Sequence, residues 1–148
     1  MTASMTSPPV PSVTETLEEL AQDFDLLGDW EAQLDYVLDL GRALPDLPEA
    51  ERTESNRVRG CASQVWLVSE RAPDGRLTFR ADSDAHIPRG LIAVLLKLYS
   101  GRHASEITAL DPAQAVERLH LGSMLTSQRA NGLSAMVDRI RRAAREAI

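Results

Sequence analysis

The sequence predicts an α+β domain in which several helices pack against a small antiparallel sheet of about three strands. Apolar residues recur at helical spacing in the first third of the chain and again after residue 88. Between them, the runs 64–68 and 77–81 are rich in β-branched and aromatic residues, and Pro73-Asp74-Gly75 separates them. The 148 residues are 43% hydrophobic, enough for one core. We therefore predict a disordered tail, rich in Ser, Thr and Pro, at 1–13 and one domain at 14–148.

The first third of the domain is predicted to be a helical hairpin. Thr14 or Thr16 is predicted to cap a first helix that ends at Gly28, and Asp29 is predicted to cap a second helix that ends before a proline-containing loop. Trp30 and Tyr36 in the second helix are predicted to lie in the core.

The remaining elements follow from local signals along the chain. A short stretch before Cys61 is predicted to add a third antiparallel strand. Pro88 suits the first turn of a central helix that is apolar on most sides and ends at Gly101. Two short helices are expected at 104–110 and 112–121, and Thr126 caps a longer last helix.

The charge pattern excludes some classes of function. The net charge is −6 and the pI is about 5.0, which argues against nucleic-acid binding. Residues 14–51 hold twelve acids and one base, whereas residues 129–148 hold five arginines and two acids. These segments are either solvated helix faces or docking surfaces. The longest apolar run, 90–96, is too short to span a bilayer, and no signal-peptide pattern is present. We expect a cytoplasmic protein.

Metal and nucleotide sites find no support in the sequence. His86, His103 and His120 do not have the spacing of a helix-borne zinc site, and the chain has one cysteine. Asp82 and Asp84 are spaced like the start of a calcium loop, but its further oxygen ligands and its glycine are missing. No phosphate-binding glycine motif occurs. We therefore predict no metal and no cofactor.

Cys61, the single cysteine, is the strongest candidate for chemistry. Gly60 precedes it and allows a sharp turn, while Arg57 and Arg59 would favour a thiolate if they point the same way as Cys61. A loop thiolate can attack a sulfur atom on another protein. Two alternatives remain open, namely a small cysteine hydrolase, which needs a histidine partner, and a structural interaction module in which Cys61 is buried.

Three stretches of the chain resemble the signature of the SufE family, which comprises sulfur acceptors for cysteine desulfurases. The first is Asn56-Arg57-Val58-Arg59-Gly60-Cys61-Ala62-Ser63-Gln64-Val65-Trp66-Leu67-Val68. The others are 82–93 and the pair formed by Leu125-Thr126 and Arg129-Ala130-Asn131-Gly132-Leu133. Two positions depart from the family pattern: Ala62, where Gln is familiar, and Ser127-Gln128, where Pro-Ser is common.

The resemblance implies the fold of SufE and of the related IscU-type scaffolds. It also implies that Cys61 accepts sulfur from a persulfide on a SufS- or CsdA-like desulfurase, a partner that carries pyridoxal phosphate. The acceptor then stimulates the desulfurase and passes the sulfur to a SufBCD-like iron–sulfur scaffold complex or to another acceptor. On this view the chain is not an autonomous enzyme.

The resemblance also points to residues that support the Cys61 loop or contact the partner. Their alternative roles, a helix N-cap for Asp84 and a surface ion pair for Arg129, stay open. The supporting set is Arg57, Arg59, Gly60, Gln64, Asp84 and Arg129.

Overall fold

Helices α1, Val13–Leu27, and α2, Trp30–Ala43, form the predicted hairpin at the start of the chain. The computed structural model describes residues 12–60 and 63–147, without the side chain of Ser123. The Ser12 hydroxyl caps α1, and Val13 is already buried. The cap of α1 is therefore Ser12 and not the predicted Thr14 or Thr16, while residues 1–11 lie outside the described part of the chain.

Trp30 is not a core residue, contrary to the prediction. It is the first residue of α2 and lies beyond the end of α1, so 45% of its surface stays exposed. Tyr36, two turns further on, is half-buried and packs edge-on against Phe24 of α1, with 5.4 Å between the ring centroids. The buried face of α2 therefore starts later than the apolar pattern indicated.

The sheet contains two antiparallel strands, β1, Val65–Arg71, and β2, Leu77–Ser83, joined by the predicted Pro-Asp-Gly turn. The prediction of about three strands is corrected here. In the described chain, the segment before Cys61 contributes only an isolated bridge, Arg57 with Trp66. The amides of Asn56 and Arg57 are used in turns with Thr53 and Glu54, so that only a short stretch is free to pair with β1.

Helix α3, His86–Tyr99, is the central buried element, as its apolar composition predicted. It contacts α2 so closely that both helices need glycine at the crossing. A Cβ on Gly90 would lie 2.5 Å from the Val37 carbonyl oxygen, and one on Gly41 would lie 2.8 Å from the Gly90 nitrogen. The crossing fixes the start of α3 against α2.

The C-terminal part contains the two short helices and the long helix that the sequence predicted. These are α4, Ala104–Ala109, α5, Pro112–Arg118, and α6, Ser127–Ala147. The Thr126 hydroxyl accepts a hydrogen bond from the Arg129 amide at the start of α6. None of the helices in the described ranges is long and apolar enough to cross a membrane. The buried stripe of α6 consists of Met136, Val137, Ile140 and Ala144.

Candidate functional site

The segments before and after Cys61 are joined by a backbone hydrogen bond. Cys61 and Ala62 lie outside the described residues, but both neighbours, Gly60 and Ser63, are described. The Val58 amide donates to the Val65 carbonyl over 2.8 Å, and this bond closes the cysteine loop, residues 59–64. The loop is therefore anchored on both sides, by the entry segment, residues 55–58, and by the start of β1.

The entry segment lies between β1 and α6. On one edge, the Asn56 carbonyl accepts from the Leu67 amide over 2.8 Å. On the other edge, the Arg139 guanidinium of α6 donates to the carbonyls of Ser55 and Arg57, over 2.7 and 2.9 Å. The segment is therefore held from both sides just before the cysteine loop begins.

Gly60 turns the chain at the surface of α6. Its φ of +94° lies in the region that glycine adopts without strain. A Cβ built on Gly60 would lie 3.5 Å from the Cβ of Ala135. The residue before Cys61 thus needs glycine for its backbone conformation, and it sits next to α6.

The far end of the loop is held by Asp84, which lies between β2 and α3. Its carboxylate accepts from the Gln64 backbone amide over 3.0 Å, and its own backbone amide donates to the Gln64 backbone carbonyl over 3.3 Å. Helix α3 has Ala85 at its N-cap position without a side-chain cap. The structure thus brings together Asp84 and Gln64, two of the residues predicted from sequence.

A cleft of about 760 Å³, here called the α3–α6 cleft, opens beside the cysteine loop. Its floor is apolar and its rim is polar. Ser63 lines it on the loop side, and Arg129 lines it on the α6 side, where its guanidinium donates to the Met124 carbonyl over 3.1 Å. The apolar side chains of the lining belong to Val65, Ala85, Ile87, Pro88, Leu91, Ile92, Leu133 and Met136.

The two arginines before Cys61 share one carboxylate. Arg57 lies 3.7 Å and Arg59 3.4 Å from the Glu54 carboxylate. Both side chains therefore point towards Glu54. The ion pairs that the structure describes for them are with this carboxylate. The Arg59 side chain is 81% exposed, and such surface pairs contribute little to stability. An effect of either arginine on the Cys61 thiol stays a prediction.

Sequence reasoning missed a buried ion cluster below the site. The Asp82 side chain is fully buried and its carboxylate accepts from the Leu47 amide, from Arg52 at 2.8 Å and from Arg89. Arg89 also donates to the carbonyls of Gly41 and Leu44. This cluster joins the loop after α2 to the end of β2 and the start of α3.

One signal pointed to this cluster, and one pattern hid it. Arg89 is a cation in the first turn of a helix, where the macrodipole disfavours positive charge, so a specific partner could have been sought. Asp82, in contrast, alternates along the strand with the buried Ala81 and Ser83, which by itself places it on the opposite face. The loop after α2 covers that face, which strand periodicity cannot reveal.

The described residues hold no group of three or more His, Cys, Asp and Glu side chains that could bind a metal ion. What the described residues bring together is a partly apolar cleft and Ser63, two positions after Cys61 in the sequence.

Comparison with known proteins is consistent over nearly the whole domain. The SufE family model, described as a Fe-S metabolism associated domain, matches residues 18–144. A SufE-like protein of Rhizobium etli is 50% identical over 133 residues, which cover 88% of this chain and 90% of that protein. A SufE-like protein of Rhizobium meliloti is 48% identical over 129 residues, which cover 85% of this chain and 92% of that protein.

A solved structure supports the fold independently. The solution structure of a hypothetical protein from Thermus thermophilus superposes with a TM-score of 0.74, covering 89% of this chain and 95% of the other. Its 18% sequence identity makes this a likeness of fold alone. With the family match over residues 18–144 and relatives at about half identity, the chain belongs to the SufE family.

Proposed function

We propose that the protein accepts sulfur from a cysteine desulfurase onto Cys61 and delivers it for iron–sulfur cluster assembly. The observation that carries the proposal is the arrangement of the described residues that flank the single cysteine. In this SufE-family chain, the Val58–Val65 hydrogen bond joins the segments before and after Cys61, and Ser63 lines the α3–α6 cleft.

The proposed reaction is an exchange between sulfur atoms without net oxidation. The Cys61 thiolate attacks the outer sulfur of a persulfide on the partner's cysteine. A bond forms between the Cys61 Sγ and that sulfur. The sulfur–sulfur bond in the partner breaks, and the partner's cysteine leaves as a thiolate with the bonding electron pair. Cys61 then carries the persulfide, and the freed desulfurase can turn over again. The desulfurase is stimulated because removal of the sulfur frees its cysteine for the next turnover.

The cleft supports this proposal because a persulfide must be kept from other thiols. Only Ala62 separates Cys61 from Ser63, so their Cα atoms lie at most about 7 Å apart. Ser63 lines the cleft. The apolar floor offers a place of low polarity within reach of the carried sulfur, while the short anchored loop lets the sulfur reach out to a partner.

The supporting residues receive distinct roles in the proposal. Asp84 and Gln64 fix the end of the loop, and Gly60 provides the turn before the cysteine. Arg129, on the far rim of the cleft, is proposed to contact the partner or the loop. The removal of sulfur from L-cysteine is left to the pyridoxal-phosphate desulfurase. The chain itself is proposed to need no cofactor and to act in the cytoplasm.

A second candidate, a cysteine hydrolase, rests on His86, which lines the same cleft as Ser63. Family membership favours sulfur transfer. Hydrolysis of ester substrates by the wild type that is lost in both Cys61→Ser and His86→Ala would support the hydrolase.

Intact mass spectrometry without reductant tests the proposed function. The protein is incubated with a SufS- or CsdA-like desulfurase and L-cysteine. We expect added mass of one or more sulfur atoms in the wild type and none in Cys61→Ser, together with stimulated alanine production by the wild type only. No added sulfur and an unchanged rate of alanine production by the desulfurase would refute the proposal.

A further inference from the structure

The last helix carries five arginines, and one of them differs from the others in what it contacts. Arg142 and Arg145 are exposed, Arg129 donates to the nearby Met124 carbonyl, and Arg141 donates to the Thr108 carbonyl of α4. Arg139 instead donates to the entry segment, 82 and 84 residues away along the chain. Its partners are carbonyls that immediately precede the cysteine loop.

The geometry of these bonds suits a guanidinium. Ser55 and Arg57 present their two carbonyls to Arg139, while the Asn56 carbonyl accepts from the Leu67 backbone amide of β1. A planar guanidinium offers two donors in a fixed fork, whereas a lysine ammonium is a single point of attachment.

Arg139 therefore covers the side of the entry segment that does not pair with β1. Two backbone hydrogen bonds join the entry segment to β1, from Val58 to Val65 and from Leu67 to Asn56. Without Arg139, the other edge of the entry segment would have no hydrogen-bond partner among these contacts. A segment held on one edge only opens more readily than one held on both. The guanidinium closes that edge with charge-assisted bonds, which are stronger than neutral ones.

A second contact continues along the same face of α6. Ala135 lies one helical turn before Arg139, and its Cβ is 3.5 Å from the Cβ position of Gly60. Helix α6 thus meets the chain at Arg57 and again at Gly60, the residue directly before Cys61. Both contacts lie on the entry side of the loop, whereas the cleft is lined by Ser63 on its exit side.

We infer that Arg139 is a positioning residue for Cys61, which fixes the entry segment so that the thiol is presented at one place. The expected effect on sulfur transfer rests on the proposed function. The structural claim, that Arg139 fixes the entry segment, does not. Loss of Arg139 frees the entry segment, makes the position of the cysteine loop less defined and lowers the rate of sulfur transfer once the partner is bound. Because Arg139 contacts the carbonyls of its own chain, the protein concentration needed for half-maximal stimulation is expected to change little.

The structural claim is tested without any partner. In Arg139→Ala, amide hydrogen exchange at Val58 and Leu67 is expected to speed up about tenfold, because the segment they bind loses its second edge. The Gly101 amide, bonded to the Leu77 carbonyl, serves as the internal control. Alkylation of Cys61 is expected to speed up as well. Arg142→Ala, which changes an exposed arginine of the same helix, is expected to change neither readout.

Arg139→Lys keeps the positive charge but removes the pair of donors that the planar guanidinium provides. We expect this variant to recover only part of the wild-type protection, since one ammonium cannot hold both carbonyls at once. Full recovery would overturn the inference that the two-carbonyl bond matters. Unchanged exchange and alkylation in Arg139→Ala, in a protein whose melting temperature confirms folding, would overturn it altogether.

The functional consequence is tested with the desulfurase. We expect Arg139→Ala to lower the maximal stimulation about tenfold, with little change in the half-saturating concentration. If only the half-saturating concentration changed, Arg139 would contribute to binding of the desulfurase, and its proposed role in positioning Cys61 would be wrong. If wild-type protein takes up no sulfur while the exchange results hold, the proposed function fails and the structural claim stands.

Discussion

Replacing Asp82 by Asn tests whether the buried ion cluster holds the framework below the site. The Asp82 carboxylate is fully buried and binds two guanidinium groups and the Leu47 amide. Arg52, whose side chain is 39% exposed, can turn to solvent at small cost. Arg89, only 16% exposed, loses its buried partner but keeps the exposed Asp46 carboxylate at 2.8 Å. Breaking a buried ion pair costs about 3–5 kcal/mol, and we expect the lower end, about 3 kcal/mol, because Asp46 still partners Arg89.

Urea unfolding followed by circular dichroism measures this cost. With a slope of about 2 kcal/mol per molar urea, the midpoint is expected to fall by about 1.5 M. The matched control is Asp39→Asn, which removes an exposed ion pair with Arg42 and is expected to change stability by less than about 0.5 kcal/mol. An Asp82→Asn midpoint within about 0.5 M of the wild type would refute the assigned role of the cluster.

The remaining predictions concern three separate contacts. Asp84→Ala removes the acceptor of the Gln64 amide, whose hydrogen exchange is expected to rise about fivefold; equal exchange in both proteins would show that the carboxylate does not hold the loop. Gly90→Ala forces a Cβ to within 2.5 Å of the Val37 carbonyl oxygen, so calorimetry is expected to show a loss of about 1–3 kcal/mol; an unchanged melting temperature would contradict the close crossing. Burial raises the pKa of Tyr99 to about 12, and its hydroxyl has no hydrogen-bond partner within the described chain. Tyr99→Phe is therefore expected to be nearly neutral at pH 7.

The pH dependence of Tyr99 has a definite sign. Its pKa is higher in the folded than in the unfolded protein, so between about pH 10 and 12 the unfolded state binds fewer protons, and stability falls as pH rises. Below about pH 10 its contribution is fully present. Urea titrations from neutral into this alkaline range are expected to show a shallower decline in Tyr99→Phe than in the wild type; parallel declines would contradict the burial of the phenol.

Gly122→Ala is the control for Gly90→Ala. Apart from Gly122 and its two chain neighbours, no atom of the described residues lies within 4 Å of a Cβ built on Gly122, which sits in a short 3₁₀ turn. Calorimetry is therefore expected to show little change for this variant. A loss equal to that of Gly90→Ala would mean that the close helix crossing is not the reason for the cost of the added methyl.

Local sequence signals predicted most of the elements because their causes are local. Capping by Asp29, the turn at Pro73-Asp74-Gly75, the apolar composition of α3 and the cap at Thr126 each depend on residues within a few positions of one another. The third strand was wrong for the opposite reason. Whether Asn56 and Arg57 pair with β1 or turn back on Thr53 and Glu54 is a competition that the alternation of residues does not express.

By itself, the sequence determined the helix and strand order, the family resemblance and the choice of Cys61 as the candidate carrier. These depend on residue types at short spacing along one chain. Only the tertiary structure decided that Asp82 is buried, that Asp84 holds Gln64 and that Arg139 reaches back to the entry segment. The contacts of Asp84 and Arg139 join residues 20 to 84 positions apart. Their partners are backbone carbonyls and amides, which nearly every residue carries, so no residue type in the sequence marks where they will meet.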